Sequence, residues 1–405
     1  MNVCEDAAAR CIECGACAAV QDEGCECPIG MWGPFAARMA SEAEQDEFTP
    51  ESMRLFFTCA MCGACTIDCP VGIDGPSVVR AIRSTFLELH PLAASTWRPM
   101  HVDRAGNALA EIRAWRGIRY DDALLETAGR CESLFFPGCT LATYAPELTR
   151  ATDDFLRKTG ETDGMTALCC GNPLSCIGLP SRFEDYGRGL NRRLAARGIR
   201  RIVSGCPNCH HALLRSQELG FIDQEIEIHA LPQVLVDAGV RIPAERSVKP
   251  EARTFSVHDS CSDRHDDVFG SAVRALLPEG SCREMRHHGP NSICCGSGGI
   301  VSYYDVSVCE HRRARRMAEF RDCGADCMVT ACASCSNSML RCDGTAPVHH
   351  YLELLFGVEI DWETLRRASR EFASRGGHDF CRAGDDDPIL GDVGTERGRV
   401  PGESS

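Results

Sequence analysis

The 28 cysteines of this 405-residue chain constrain it most, because half of them stand in C-x-x-C groups or adjacent pairs. Such spacing suits metal ligation better than the disulfide framework of a short secreted protein. The N-terminus has neither a basic nor an apolar segment and does not predict a signal peptide. No run approaches 18 apolar residues, so no membrane span is predicted. We therefore expect a cytoplasmic metalloprotein.

The segment from Cys59 to Pro70 holds three closely spaced cysteines and then a fourth that precedes proline, as in bacterial ferredoxins. Cys11, Cys14 and Cys17 repeat the triple, but the fourth cysteine is displaced. Cys27 is followed by proline, as Cys69 is, and we therefore favour Cys27 over Cys25. A pair of structural zinc sites is the alternative, since C-x-x-C is also a zinc signature.

In two-cluster ferredoxins the fourth cysteine of each motif serves the other cluster. The predicted ligand sets for two [4Fe–4S] cubanes are Cys11, Cys14, Cys17 and Cys69 for one, and Cys59, Cys62, Cys65 and Cys27 for the other.

Two further groups of five cysteines recur in the same order at offsets of 122 to 126 residues. The group that we call the first cysteine site is Cys139, Cys169, Cys170, Cys206 and Cys209, and the second cysteine site is Cys261, Cys294, Cys295, Cys332 and Cys335. Both adjacent pairs continue into glycine. The sequence therefore contains a duplicated module.

Around these cysteines, short apolar runs alternate with helical patterns, which predicts α/β units with a largely parallel sheet. The predicted strands are Ser133–Phe136, Arg201–Val203, Thr254–Val257 and Met328–Thr330, and the predicted helices are Pro146–Lys158, Phe183–Ala196, Gly270–Leu277 and Val306–Phe320. Each strand leads to a cysteine. The carboxyl ends of parallel strands are where α/β sheets bind ligands.

The predicted fold class is thus α+β and α/β, with a small two-cluster ferredoxin-like module, a helical connector and two repeated α/β domains. The boundaries are 1–90 for the ferredoxin-like module, 91–130 for the connector, 131–245 and 246–368 for the two repeats, and 369–405 for a flexible acidic tail.

The motifs Phe136-Pro-Gly-Cys139, Cys169-Cys170-Gly171 and Cys206-Pro-Asn-Cys209 resemble the cysteine-rich "CCG" domain of heterodisulfide reductases. The same domain occurs in iron–sulfur subunits of glycolate, lactate and glycerol-3-phosphate oxidation. The order of modules is similar to the D subunit of the membrane-linked heterodisulfide reductase, which operates in anaerobic metabolism. Ser260 and Ala333 depart from the proline that is common at their positions.

The resemblance implies that each five-cysteine site holds a non-cubane [4Fe–4S] cluster and that the cluster-ligating cysteines carry the chemistry of a disulfide or thiol substrate. The alternative for each site is one zinc ion or one cubane, with the fifth cysteine structural. His258 and Asp259 precede Cys261, and Arg264 and His265 follow it. These residues could supply a cation or a proton beside the cluster, but we favour a role for His258 and Asp259 in orienting Cys261.

No glycine-rich nucleotide motif stands at a strand-to-helix turn, so we expect neither flavin nor NAD. The net charge of −15 disfavours nucleic acid as a partner. Residues 1–70 carry 12 acidic and 3 basic side chains, a surface suited to a basic redox partner. We expect a heterodisulfide-reductase-like oxidoreductase subunit that receives electrons from a flavoprotein or a membrane cytochrome b, in the cytoplasm or at the inner face of the membrane. The alternative is an electron-relay subunit of a flavin-dependent glycolate, lactate or glycerol-3-phosphate dehydrogenase.

Overall fold

A computed structural model describes residues 2–20, 31–125, 130–243, 254–374 and 389–390. The described residues form two compact units. The N-terminal unit comprises the described residues of Met1–Thr96, Ser175–Pro180 and Leu235–Leu355. The middle unit comprises those of Trp97–Leu174 and Ser181–Val234, and those from Phe356 onward. The two cysteine sites therefore fall in different units, and the ferredoxin-like motifs share a unit with the second site.

The N-terminal unit begins with helices, and no strand occurs in the described residues before Ser133. These helices are α1 (Val3–Arg10), α2 (Ala16–Val20), α3 (Trp32–Gln45), α4 (Pro50–Phe57), α5 (Ala64–Ile67) and α6 (Gly75–Leu89), followed by a 3₁₀ helix over Pro91–Met100. Asn2, Thr49 and Asp74 cap α1, α4 and α6 with side-chain oxygens, which satisfies N–H groups that a helix start leaves open.

An aromatic cluster holds α4 against α6. The rings of Phe56 and Phe57 lie 5.9 and 5.5 Å from that of Phe86, and Phe48 lies 5.3 Å from it. Burying such rings is the main source of stability available to a short helical segment. The core of this region is therefore partly aromatic, beside the cysteine motifs.

The middle unit is built on a four-stranded parallel sheet in the order β2-β1-β3-β4. The elements of this part of the chain are α7 (Ala108–Trp115), β1 (Ser133–Phe136), α8 (Cys139–Tyr144), α9 (Pro146–Thr159), β2 (Gly164–Met165), α10 (Asn172–Ile177), α11 (Pro180–Arg197), β3 (Arg201–Ser204), α12 (Pro207–Glu218), β4 (Glu227–Ala230) and α13 (Leu231–Asp237). The central strands β1 and β3 are almost wholly buried, which explains their continuous apolar sequence.

A three-stranded parallel sheet in the order β5-β6-β7 belongs to the N-terminal unit. The elements of this part are β5 (Phe255–His258), α14 (Val268–Leu276), α15 (Val306–Cys323), β6 (Cys327–Thr330), α16 (Ala333–Cys342), β7 (Val348–His350), α17 (Tyr351–Phe356) and α18 (Trp362–Ser374), with 3₁₀ turns at Cys261–Asp263, Gly289–Asn291 and Gly298–Tyr303. All four residues of β5 and of β6 are buried.

The predicted α/β character with parallel sheets is confirmed, and the four predicted strands and four predicted helices all occur, with ends shifted by at most a few residues. Only part of the predicted helical connector is α-helical. The helix α7 ends at Trp115, and Gly117 follows with φ +66°, a left-handed conformation that stops helices. Further on, Asp122 pairs with Met165 beside β2 instead of continuing the helical pattern.

The predicted acidic tail, apart from its first residues and 389–390, lies outside the described residues, and so do Cys25, Cys27 and Cys381. Among the described residues, no helix combines the length and the apolar character that crossing a membrane requires.

Candidate metal centres

The two N-terminal cysteine triples have the same backbone conformation. In the first, Glu13 and Gly15 have φ of 52° and 76°, and in the second Met61 and Gly63 have φ of 53° and 73°. One residue after each glycine, a short helix begins (α2 and α5). Left-handed residues on both sides of the middle cysteine bend the chain into a tight loop, which brings three thiols of a C-x-x-C-x-x-C segment to one side.

Peptide N–H groups donate to the sulfur atoms of these loops. The bonds run from Met31 to Cys17 Sγ at 2.9 Å, from Met61 to Cys59 Sγ and from Ile73 to Cys69 Sγ at 3.3 Å, and from Glu13 to Cys11 Sγ at 3.4 Å. Such bonds stabilise negative charge on sulfur, and they are one way in which proteins tune iron–sulfur clusters. The donor set therefore fits thiolate-ligated clusters.

Glycines let other backbone segments approach the same sulfurs. A side chain at Gly75 would place its Cβ 2.7 Å from Cys65 Sγ, and one at Gly33 would place it 2.9 Å from Cys11 Sγ. Cys59, Cys62 and Cys65 are buried, whereas Cys14 is exposed. The first triple is thus the one nearer solvent. Burial raises the pKa of Cys65 well above its ordinary value, an effect that a bound cation would oppose.

Cys69 lies in a loop that folds back toward the first triple. Arg10, the residue before Cys11, donates to the carbonyl oxygens of Val71 and Gly72 in this loop. That placement suits the predicted role of Cys69 as fourth ligand of the first triple, which stays a prediction. Cys27, the predicted fourth ligand of the second triple, and its alternative Cys25 lie outside the described residues.

The five thiols of the first cysteine site converge at the carboxyl edge of the β2-β1-β3-β4 sheet. Cys139 begins α8 just after β1, and Cys206 caps α12 just after β3, with Cys209 on the first turn of that helix. The Sγ atoms of Cys139 and Cys169 lie 3.5 Å apart. The thiol of Cys170 hydrogen-bonds those of Cys169 and Cys209, which lowers its pKa well below the ordinary value.

The surroundings of the first cysteine site are mostly apolar and aromatic. Phe136, at the end of β1, is fully buried, and so are Phe183 and Tyr186 on α11 to within a few percent. The Tyr186 hydroxyl donates to the carbonyl oxygen of Cys169 at 2.8 Å. Gly138, with φ +84°, comes so close that a Cβ there would lie 2.9 Å from Cys209 Sγ.

The second cysteine site repeats this arrangement at the carboxyl edge of the β5-β6-β7 sheet. Cys261 follows β5, and Cys332 caps α16 after β6, with Cys335 on its first turn. The thiol of Cys294 hydrogen-bonds those of Cys261 and Cys295, and the Cys295 thiol interacts with Cys335. The helix N-termini of α12 and α16 both point at a cysteine pair, which favours thiolates.

Buried cations surround the second cysteine site. Arg264 and Arg312 are 3% and 2% exposed, and Arg316 is fully buried. The pKa of Cys294 lies well below its ordinary value, because of the hydrogen bonds with Cys261 and Cys295 and, further, the charge of Arg312. His258 is buried beside Cys295 and Cys335, with a ring nitrogen and both Sγ atoms all within 4.8 Å of one another. Burial, aided by Arg316, lowers the pKa of His258 to about 3, so the ring is neutral rather than cationic.

The second cysteine triple packs directly against the second cysteine site. Arg264 donates from Nε to the carbonyl oxygen of Cys62 at 2.9 Å, and with its terminal nitrogens to Pro290 and Ser292, just before Cys294. Arg312 lines one small pocket together with Cys59, Cys62 and Cys65. A Cβ on Gly299 would lie 2.3 Å from the carbonyl oxygen of Cys59, so only glycine allows this approach.

Arg83 of α6 ties the same segments together from behind. It is fully buried, and its guanidinium donates to the carbonyl oxygens of Phe56, Phe57, Cys59, Cys176 and Gly299. Burial lowers its pKa to about 10, which still leaves it charged at neutral pH. Sequence reasoning overlooked Arg83, Arg312 and Arg316, because arginines on helices ordinarily indicate a solvated face. For Arg312 and Arg316 the repeat contained an indication. An offset of 126 residues aligns them with Tyr186 and Leu190, so the two copies differ in charge at these positions.

Cys323 and Cys327 are close in sequence to the second cysteine site but do not join its group of thiols. Cys327 begins β6 at the end opposite to Cys332, and the Cys323 thiol donates to the carbonyl oxygen of Phe320. Neither is grouped with the site cysteines among the described residues.

Comparison with known proteins also distinguishes an N-terminal cysteine region from two cysteine-rich modules. Residues 133–214 and 255–340 each match the family model described as a cysteine-rich domain, CCG, and residues 7–73 match that of a 4Fe-4S dicluster domain. Among solved structures, the chain is similar to a hypothetical protein from Helicobacter pylori known from a crystal structure, with 10% sequence identity and a TM-score of 0.49. That alignment covers 82% of this chain and 69% of the other.

Proposed function

We propose that this chain, an iron–sulfur-binding protein by its dicluster domain and two cysteine-rich domains, is the disulfide-reducing subunit of an electron-transfer complex. In this proposal a flavoprotein or a cytochrome b supplies electrons in the cytoplasm, and a small disulfide is the substrate. The disulfide S–S bond takes up two electrons and two protons and gives two thiols. Bound iron–sulfur clusters would supply the chemistry of accepting and passing on single electrons.

The observation that carries the proposal is the packing of Cys59, Cys62 and Cys65 against the second cysteine site. Electron tunnelling slows steeply with distance, so adjacent clusters exchange electrons faster than distant ones. The contact of Arg264 with Cys62 and the pocket that Arg312 shares with this triple support direct exchange. The second cysteine site is therefore the proposed recipient of electrons from the dicluster domain.

Electrons would enter at the first triple. Cys14 is exposed, and beside it Ile12 is 61% exposed, an unusual position for a large apolar side chain. Glu5, Asp6 and Glu13 add negative charge at the same end of the chain. An exposed apolar side chain in an acidic stretch of the chain suits transient docking of a redox partner with a basic surface.

The protein supplies the second cysteine site with both ligands and compensating charge. Five thiolates carry more negative charge than an ordinary four-cysteine site, and the guanidinium groups of Arg264, Arg312 and Arg316 lie around it. Cations beside a reduced centre lower the free energy of adding an electron. The buried cations thus suit a site that accumulates charge before a substrate takes it.

Metal analysis and electron paramagnetic resonance (EPR) test the proposal. Anaerobically purified full-length protein should contain about sixteen irons and as many sulfides per chain, which four [4Fe–4S] clusters require. Adding a small thiol to oxidised protein should change a low-temperature EPR signal, and Cys294→Ser should abolish that change. Cys282→Ser, which alters a half-buried cysteine of the same module, should leave it intact.

A thiol-independent spectrum in protein whose N-terminal clusters still reduce would contradict the disulfide-reducing role. It would favour the relay subunit of a flavin-dependent glycolate, lactate or glycerol-3-phosphate dehydrogenase. Zinc in place of iron would contradict both.

A further inference from the structure

His258 stands at the end of β5, 1% exposed, immediately behind the second cysteine site. Its Nδ1 receives a hydrogen bond of 2.9 Å from Nε of Arg316. A guanidinium has only donors, so Nδ1 must be the acceptor in this pair. A neutral imidazole carries one proton, and here that proton must therefore be on Nε2.

The Nε2 atom of His258 is buried and has no hydrogen-bond partner among the described residues. A buried N–H group without an acceptor costs free energy, and native proteins rarely tolerate one. A ring nitrogen of His258 and the Sγ atoms of Cys295 and Cys335 lie within 4.8 Å of one another, which makes these sulfurs the acceptors to consider. The ring is thus placed to donate to sulfur at the second cysteine site.

The orientation of the ring is itself held in place. Arg316 donates to the carbonyl oxygen of His287 at 2.6 Å and to Glu319 Oε2 at 2.8 Å, and the His287 ring bonds the other oxygen of Glu319. This chain of buried partners prevents the guanidinium from turning away from Nδ1. Outer partners of this kind fix the tautomer and direction of a histidine at many metal centres.

The first cysteine site has no such device. Phe136 ends β1 where His258 ends β5, three residues before Cys139 and Cys261 respectively. Leu190 of α11 takes the place of Arg316 of α15. Both parts of the donor pair are therefore apolar in the first copy.

We propose that His258 is a positioning residue whose Nε2–H donates a hydrogen bond to sulfur at the second cysteine site, raising the reduction potential of the cluster there above that at the first site. This inference rests on the proposed function, because it requires a bound cluster at the second cysteine site. It deepens that function by naming the second site as the place where electrons collect. A hydrogen bond to sulfur stabilises the more negative, reduced state, so electrons would rest where the disulfide is to be reduced.

The test is an EPR-monitored redox titration of full-length, iron-loaded protein without substrate. The signal of the second site is identified by its loss in Cys294→Ser. His258→Phe, which installs the residue of the first copy, should shift that signal to a lower midpoint potential and leave the other signals unmoved. His258→Gln carries an N–H near the position of Nε2 and should restore the potential, whereas His258→Asn, which is too short, should behave like the Phe variant.

A spectroscopic readout separates a hydrogen bond from a structural effect. Electron–nuclear double resonance of the second-site signal should detect an exchangeable proton in wild type and in His258→Gln, and D₂O should remove its coupling. This proton coupling should be absent in His258→Phe. An unshifted potential in both His258→Phe and His258→Asn would overturn the inference. A strong nitrogen coupling, lost on substitution, would overturn it as well, because His258 would then be an iron ligand.

The substrate-free potential distinguishes this inference from the proposed function. A wild-type protein that ignores added thiol, yet loses potential at the second site in His258→Phe, would refute disulfide reduction and retain the hydrogen bond. Iron content and thermal midpoint, measured on every variant, identify any that fail to fold. The iron content and thermal midpoint of His258→Phe and His258→Asn are compared with those of His258→Gln, which keeps a polar side chain of suitable length.

Discussion

The first and second cysteine sites share a backbone plan but differ in what surrounds it. In both, one cysteine follows a parallel strand and a second pair begins at the N-terminus of a helix after the neighbouring strand. Around the first lie Phe136, Tyr186 and Leu190, and around the second lie their counterparts His258, Arg312 and Arg316. The two copies thus share their ligand positions, while the neighbouring side chains are apolar or aromatic in the first and polar or cationic in the second.

The comparison distinguishes the residues that would bind a cluster from those that would set its reduction potential. The number of ligands and the strand ends that carry them decide which cofactor binds. Buried charge and hydrogen bonds to sulfur decide its potential. Clusters bound at the two sites would therefore be expected to differ in reduction potential.

The largest effect should come from removing the arginine that ties the dicluster domain to the second site. Arg83→Met leaves five buried carbonyl oxygens without their donor, and we expect a loss of at least about 3 kcal/mol. For a unit of about 200 residues this corresponds to roughly 6–12 °C in thermal midpoint. Anaerobic scanning calorimetry measures it, with EPR recording which site is lost.

The matched control for Arg83 is Arg38→Met, in the same unit. Arg38 has a half-exposed side chain whose nitrogen lies 3.6 Å from Glu42, and such a surface pair contributes less than about 1 kcal/mol. The first cysteine site should keep its signal in both variants. Equal midpoints for Arg83→Met and wild type would contradict the role given to this guanidinium.

A smaller effect, confined to the first site, should follow from exchanging the residues that precede Cys139 and Cys261. Gly138 has φ +84° and ψ 145°, a region almost restricted to glycine, whereas Ser260 has φ −68°. Gly138→Ser should cost about 2 kcal/mol and displace the first cluster, with a loss of about four irons per chain. Iron analysis with EPR of the first-site signal measures this.

The reciprocal Ser260→Gly meets no strain and should change stability by less than about 1 kcal/mol, with iron content unchanged. If the two substitutions gave the same iron loss, the glycine would not be needed for the close approach to Cys209.

The smallest effect concerns the hydroxyl of Tyr186, which contacts the backbone of the first site. Tyr186→Phe removes a hydrogen bond to the carbonyl oxygen of Cys169 and should cost about 1 kcal/mol. Tyr120→Phe removes a similar bond of 2.7 Å to Ala142 in the same unit, at similar cost. Only Tyr186→Phe should shift the midpoint potential of the first site in an EPR titration. A shift in both would mean that general loosening causes it.

The strands and helices nearest the cysteines could be predicted because their own residues indicate the type and the ends of each element. A run such as Leu134–Phe136 is apolar at every position, as a strand buried on both faces must be, and a cysteine follows directly. Helices such as α9 and α15 begin and end near proline, aspartate or glycine. The extent of the helical connector was predicted less well. Its apolar spacing continues past Trp115, but Gly117 and the pairing of Asp122 with Met165 change the direction of the chain.

The surroundings of the candidate sites were harder to predict, for a physical reason. Arg312, Arg313 and Arg316 form a pattern on α15 that is typical of a solvated helix face, yet all three are buried. An arginine is buried only where distant carbonyl and carboxylate groups accept its protons, and those acceptors belong to other segments. The histidine before Cys261 was noticed, but its neutral state depends on burial by other segments and on Arg316, 58 residues away.

The contact between Arg264 and Cys62 has a consequence for how the protein is made. The two residues are 202 positions apart, and the whole first cysteine module lies between them in sequence. At about 5–20 residues per second, a ribosome needs roughly 10–40 s to add that length. Throughout this interval the emerging dicluster domain lacks the surface that later covers Cys59 and Cys62. Cys59 and Cys62 of the nascent chain should therefore be most vulnerable to oxidants before the second module emerges.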